Sequence, residues 1–460
     1  MIVAAPKRGV SGRWGGAAGH VIIGTLADAG TVHCHRGLHR TIRSSLAPDR
    51  RSDHRRLVIG NRVGSRTAGS ADGGGRLAVR EYILTFLTAS IVTYLLVPLV
   101  RKFAIAFKAM TPVRDRDVHA IPTPRIGGLA MFFGMCAALL MASRLPHMRD
   151  VFTESPTWVG LLSAGGLLVV VGIADDRWEI DALTKMAGQV AAAGLLIMNG
   201  VQLLWIPLPG ATLALPPSYG VPVTILLVVA TINAVNFIDG LDGLAAGIVG
   251  ISALAFFVYA YLVTVVAHLD HQSAPALIAA VLTGMCVGFL PHNFSPARIF
   301  MGDTGSMLIG LLLATSMITV SGFDPAALKG SINRFPTLLP LLPVAILVVP
   351  YADMLMAVVR RTYGGRSPFA PDKKHMHHRL LNLGHSHRGA ALVMYLWTAL
   401  FSFGVVALSA AKSPLLVLAA ASVVAIAALV VMAFPQLRPH GRRHRTGEET
   451  PSDKRPRQAA

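Results

Sequence analysis

The sequence predicts an all-α, polytopic membrane protein of about eleven transmembrane helices, with its N-terminus outside and its C-terminus inside. Three observations carry that prediction. Of 460 residues, 53% are hydrophobic and only 14% charged, so lipid rather than water must solvate much of the fold. The apolar residues gather into runs of roughly 17 to 25, the length a helix needs to cross a bilayer, whereas barrel strands need only about 9 to 11 residues of alternating polarity. Lys and Arg crowd into alternate loops: six in 101–125, seven in 360–390 and seven after Pro435, against none in 205–220 and 267–275. By the positive-inside rule the crowded loops are cytoplasmic. The net charge of +19 thus reports topology, and with no organised basic domain a nucleic-acid partner is not expected.

The spans are expected near 81–100, 126–143, 157–174, 183–204, 221–238, 244–266, 276–291, 304–322, 338–359, 391–411 and 414–434. Residues 1–79 precede them with thirteen Lys or Arg against four Asp and no apolar run long enough to span. They read as a disordered basic extension. Their charge conflicts with an outside location, so translation is expected to begin close to Val79, and 1–79 to be dispensable. The polytopic domain covers 80–434, and 435–460 is a basic cytoplasmic tail. Cys34, Cys136 and Cys286 lack metal-ligand spacing and are expected to be small packing residues.

Polar clusters fall where apolar runs end, and ionisable groups near lipid mark functional sites by default. After the first span, Pro124-Arg-Ile-Gly-Gly128 leads into the next helix, with glycines that permit close backbone approach. The third span ends in Asp175-Asp176-Arg-Trp-Glu179-Ile-Asp181. Neighbours on a helix do not share a face, so Asp175 and Asp176 are expected to point differently. The fifth span carries Asn233, Asn236, Asp239 and Asp242 at a spacing of three. On an unbroken helix that spacing drifts about 60° backward per step, and Gly240 and Gly243 are expected to break the helix so that Asp239 and Asp242 converge. Beyond the seventh span, Phe300-Met-Gly-Asp303-Thr-Gly-Ser306 sets an aspartate between glycines at a helix start, a setting for anion or metal binding; an N-cap is the simpler alternative. After the ninth span come Arg360, Arg361 and the run Asp372-Lys-Lys-His375-Met-His377-His378-Arg379. No cysteine supports a zinc site there, and charge-assisted bonds to a diphosphate suit these residues better.

Taken together, these segments resemble the polyprenyl-phosphate N-acetylhexosamine-1-phosphate transferase superfamily, glycosyltransferase family 4, over about residues 81–434. The sequences Asn-Ala-Val-Asn-Phe-Ile-Asp-Gly-Leu-Asp-Gly and Phe-Met-Gly-Asp-Thr-Gly-Ser look like its signatures. The His-x-His-His pattern and eleven spans are closer to the WecA and TagO branch than to MraY. The resemblance implies transfer of GlcNAc-1-phosphate from UDP-GlcNAc to a polyprenyl phosphate, releasing UMP, at the cytoplasmic face of the plasma membrane. It implies Asp175, Asp176, Asp239 and Asp242 as catalytic residues, and Asn233, Asn236, Arg361, His375, His377 and His378 as substrate-binding. Asp303 is implied as ligand of Mg²⁺, with Mn²⁺ as the alternative ion. A homodimer is left open. One departure is Glu179, where some members carry a third aspartate. Two rivals stand beside this reading. A MraY-like enzyme would use UDP-MurNAc-pentapeptide with the same catalytic parts, and a secondary transporter would set its charges near the bilayer midplane rather than at helix ends.

Overall fold

In the computed structural model the described residues are 71–106, 123–208, 211–266, 274–322, 348–363, 365, 376–411 and 413–437, with side chains from residue 79 onward except at 154, 207–208, 211–212, 265–266, 349–350, 357, 376–378, 431 and 433–437. They belong to one unit, Ala68–Ala460; most of the basic extension and of the C-terminal tail lies outside them. Thirteen helices are numbered here among the described residues: α1 (Ala71–Ala106), α2 (Gly128–Ala142), α3 (Arg149–Glu154), α4 (Thr157–Trp178), α5 (Ala182–Met198), α6 (Pro217–Ile238), α7 (Leu244–Val266), α8 (Ala274–Asn293), α9 (Gly302–Thr319), α10 (Val348–Tyr363), α11 (Met376–Asn382), α12 (His387–Ala410) and α13 (Pro414–Leu437).

Each of the eleven expected runs overlaps one of these helices. Seven are long and apolar enough to cross a membrane by length and composition, those within α1, α4, α6, α7, α8, α9 and α12. Shorter apolar helices are Gly128–Ala142, Ala182–Met198 and Pro414–Val430. A helix suits this setting because it satisfies every mid-span backbone group internally.

The structure adds elements to the expected series of spans. The run expected to continue to residue 204 stops at Met198, and a small antiparallel hairpin follows, β1 (Trp205–Leu208) with β2 (Ala211–Ala214), in the register Trp205 to Ala214. The chain also folds the short α3, onto which Trp158 is pinned through its indole N–H to the Phe152 carbonyl at 3.1 Å.

Burial follows position in the bundle. Helix α9 lies at the centre, packed by α2, α4, α6 and α8, and its residues from Thr304 to Ile318 are all buried. Around it, α1 and α13 turn large apolar side chains outward, Leu95 at 60% exposure and Leu415 at 77%. Contiguous apolar surface of that kind would be unstable in water and is what a lipid-facing helix presents. The C-terminal ends of α4, α6 and α8 lie at the same end of the bundle as the N-terminal ends of α5, α7 and α9, joined by the contacts Lys185 to Asp175, Asn236 to Asp303 and Gly243 to Asn293.

Candidate functional site

The polar residues meet at that end. Asp175 and Asp176 occupy the last turn of α4, which Glu179 closes in the left-handed conformation (φ 51°), its N–H bonded to the Asp175 carbonyl at 2.9 Å. Asp176 faces α9. Its Oδ1 accepts the Asp303 N–H at 3.0 Å, and its Oδ2 accepts the Thr304 N–H at 3.2 Å and the Thr304 hydroxyl at 2.8 Å. These are first-turn donors that no intrahelical carbonyl can reach, and Met301 at the N-cap offers them no side chain. Asp176 therefore caps α9 from a different helix and sets a negative charge at its positive pole. The anion setting expected here is filled by the protein's own carboxylate. Gly302 makes the approach feasible: φ is +67°, and a Cβ there would run into the Arg125 carbonyl and the Asp176 carboxylate.

The Pro124-Arg-Ile-Gly-Gly128 segment is stitched to the same place by backbone. Phe300 N–H donates to Pro124 O at 2.9 Å, Gly127 N–H to Phe300 O at 2.9 Å and Gly128 N–H to Met301 O at 3.0 Å. Two sequence motifs about 180 residues apart thus form one short ladder at the mouth of the site.

Asp175 points elsewhere, as helical geometry requires of its neighbour. Its Oδ2 accepts Lys185 Nζ at 3.0 Å, and the same ammonium pairs with Asp303 Oδ2. Lys185 sits in the first turns of α5, whose start Asp181 caps, accepting from the N–H groups of Leu183 (3.1 Å) and Thr184 (3.0 Å) and from the Thr184 hydroxyl (2.6 Å). Those bonds, the Thr184 hydroxyl first, hold the Asp181 carboxyl below its usual range. The other oxygen of Asp303 accepts Asn236 Nδ2 at 2.8 Å, and Asn236 also donates to the Ser306 hydroxyl at 2.8 Å. Asp175, Asp176, Asn236 and Asp303 are thereby brought together around one lysine.

The remaining candidates are placed as follows. Asn233 lies one turn deeper on α6, donating to Gln189 Oε1 at 2.6 Å and to Val229 O at 2.8 Å, so its described partners belong to the helix interface. Helix α6 ends at Ile238 and α7 begins at Leu244, the break expected from the glycines, with Gly243 at φ +73°. Asp239 opens this turn. Burial pushes its carboxyl up to about 7, with nearby Asp176 raising it further, Arg125 opposing and Asp242 adding to the rise. Asp242, 3% exposed, turns toward the loop between α8 and α9 and accepts the Ala297 N–H at 3.0 Å through Oδ2. Arg361, in the last turn of α10 and 5% exposed, lies with its guanidinium carbon 5.3 Å from the centroid of the Phe237 ring. His375 and the side chains of His377 and His378 lie outside the described residues.

Lys185, Thr304 and Ser306 join the site although the sequence reading did not single them out as site residues. A lone lysine early in an apolar helix resembles an interfacial anchor, and its partners lie 10 and 118 residues away. Among the described residues no three His, Cys, Asp or Glu side chains form a metal-holding group. A closed cage is not what Mg²⁺ needs, since it keeps waters and takes substrate oxygens. Asp303 and Asp175 already share one positive charge and supply only hard carboxylate oxygens, donors that fit Mg²⁺.

Residues 158–321 match the family model described as glycosyl transferase family 4. A decaprenyl-phosphate N-acetylglucosaminephosphotransferase of Mycolicibacterium smegmatis is 46% identical over 343 residues, 73% of this chain and 84% of the relative. The protein of that name from Mycobacterium tuberculosis is 44% identical over 364 residues, covering 76% and 89%. An undecaprenyl-phosphate alpha-N-acetylglucosaminyl 1-phosphate transferase of Yersinia pestis is 30% identical over 315 residues, covering 66% and 77%.

Proposed function

The chain belongs to glycosyl transferase family 4, and on that basis we propose that it transfers GlcNAc-1-phosphate from UDP-GlcNAc to a polyprenyl phosphate, releasing UMP. The observation that carries the chemistry is the Lys185 ammonium held between Asp175 and Asp303 at the mouth of the bundle. Positive and negative groups alternate there within reach of one another, as a site for a metal-bound diphosphate requires. The relatives above, named for decaprenyl and undecaprenyl phosphates, support a long prenyl acceptor, and the 44–46% identity favours the decaprenyl class.

In this reading an oxygen of the acceptor phosphate attacks the β-phosphorus of the donor, a new P–O bond forms, and the bridging bond breaks with its electron pair leaving on UMP. The acceptor phosphate is already mostly ionised near neutral pH, its second pKa being about 6, so a strong base is not needed. Asp175 orients it and takes any residual proton. Asp176 is committed to α9 and acts by fixing Asp303. Lys185 and Arg361 face the phosphates, with the histidines 375, 377 and 378 expected beside the donor diphosphate. Asp303, aligned by Asn236, would hold Mg²⁺ or Mn²⁺, and such an ion would supply positive charge against that developing on the leaving group.

The same reading takes eleven crossings, with the N-terminus outside, the C-terminus inside and the site facing the cytoplasm at the plasma membrane. Its support is that the site-bearing helix ends adjoin the Lys- and Arg-rich loops, while the opposite end carries the uncharged hairpin. A water-soluble nucleotide then arrives from the side where it is made, and the lipid phosphate enters between helices at the interface. The test is to incubate membranes containing the protein with labelled UDP-GlcNAc and decaprenyl phosphate, and to look for a lipid-linked, UMP-releasing product. Efficient use of UDP-MurNAc-pentapeptide in the same assay, with none of UDP-GlcNAc, would overturn the donor assignment.

A further inference from the structure

The turn bearing Asp239 and Asp242 ends at Gly243, and this residue is gripped from two sides. Its N–H donates to Asn293 Oδ1 at 3.1 Å, from the buried end of α8. Its carbonyl accepts the Gly247 N–H at 2.9 Å, the first bond of α7, and also the hydroxyl of Tyr395 at 2.5 Å. Tyr395 stands on α12, about 70 residues beyond the part of the chain that the family model matches. Its ring packs against Gly247, where an added Cβ would fall on ring atoms. A small residue and a large one are thus fitted to each other so that one phenol reaches one carbonyl.

We propose that Tyr395 is a positioning residue for the reaction: it fixes the Asp239–Gly243 turn against α12 and so sets where the two carboxylates stand relative to Asp303. The inference rests on the reading that this turn belongs to the transferase site. A carboxylate displaced by even an ångström loses much of its effect in a transition state, so the hydroxyl should act on turnover more than on donor binding.

The experiment compares wild type, Tyr395→Phe, Asp242→Asn and the double variant, each as full-length protein in detergent. Read-outs are kcat and KM for UDP-GlcNAc, the unfolding midpoint, and amide hydrogen exchange. Tyr395→Phe should lower kcat about tenfold with KM within about twofold, the size expected for one lost hydrogen bond. In the Asp242→Asn background the same change should lower the residual single-turnover rate less than twofold. Exchange should rise within 239–247 and stay constant within 302–306, a read-out that needs no catalysis and stands even if the donor were misassigned. An equal fold-loss in both backgrounds, or an unchanged kcat per folded molecule, would overturn the proposal. So would unaltered exchange in 239–247. Gly247→Ala, which must push the ring aside, should reproduce the kcat loss by an independent route, and full activity in that variant would also count against it.

Discussion

Substituting Asp176 by Asn separates a structural carboxylate from a chemical one. The Asp176 carboxylate accepts three hydrogen bonds from the first turn of α9. An Asn side chain keeps one oxygen, which can retain the Asp303 N–H. Its amide group then confronts the Thr304 N–H, donor against donor, and the charge facing the helix pole is gone. A hydrogen bond to a charged acceptor contributes about 1.5 to 3 kcal/mol net, and the charge at the helix end roughly 0.3 to 1 more. Allowing for relaxation of the Thr304 hydroxyl, we expect a loss of about 2 to 3 kcal/mol. At roughly 2 °C per kcal/mol for a chain of this size, the unfolding midpoint in detergent should fall by about 4 to 6 °C. Asp175→Asn is the matched control. Its described hydrogen-bond partner is the partly exposed Lys185, and such pairs contribute about 1 kcal/mol or less. The control should therefore keep its midpoint within about 2 °C while losing most activity. If Asp176→Asn unfolds with wild-type midpoint, or with the midpoint of Asp175→Asn, the capping account of α9 is wrong.

Three further outcomes are expected. Asp303→Asn should abolish turnover while the protein remains folded and inserted, because it removes a charged metal ligand and little volume; near-wild-type activity at saturating Mg²⁺ would remove Asp303 from the site. Asp181→Ala should fray the start of α5 and move Lys185, seen as raised hydrogen exchange in 182–186 together with reduced kcat, and exchange unchanged there would contradict this. For Asp239, raised to about 7 when folded from about 3.9 unfolded, the folded state holds the proton more tightly. Its contribution to stability is full below about pH 4 and is lost as pH rises through 7. If the ionised form is the working one, kcat/KM for the substrate-free enzyme should rise across that window, and Asp239→Asn should flatten the limb; a wild-type profile without a limb between pH 6 and 8 would exclude Asp239 as a group that titrates in function.

Long apolar runs made the helices legible, because lipid selects on composition over about twenty residues at once. The separate fates of Asp175 and Asp176 were legible for a related reason: a helix turns about 100° per residue, so adjacent side chains must meet different neighbours. The break at Asp239–Gly243 followed from glycines in a strained series. What sequence withheld were interactions whose two halves look ordinary apart. Thr304 is one more small polar residue until Asp176 arrives from α4, and Lys185 is an anchor until it meets Asp175 and Asp303. The hairpin 205–214 was hidden by its prolines, whereas the stop before it was legible: Asn199 and Gly200, at φ +83°, end α5 inside the run expected to reach 204.

Three close contacts at the site differ in how they can be repaired. A side chain added at Gly247 would meet the ring of Tyr395, and a smaller residue at 395 can restore the room. An added Cβ at Gly128 would meet the backbone of Thr304 and Gly305, and one at Gly172 the backbone of Thr304 and Asp303. Main chain cannot be made smaller by any codon change. Selection for second-site changes that restore the amount of folded protein should therefore recover suppressors of Gly247→Ala at position 395, still slow in turnover for want of the Tyr395 hydroxyl, and none at the contacting positions for Gly128→Ala or Gly172→Ala.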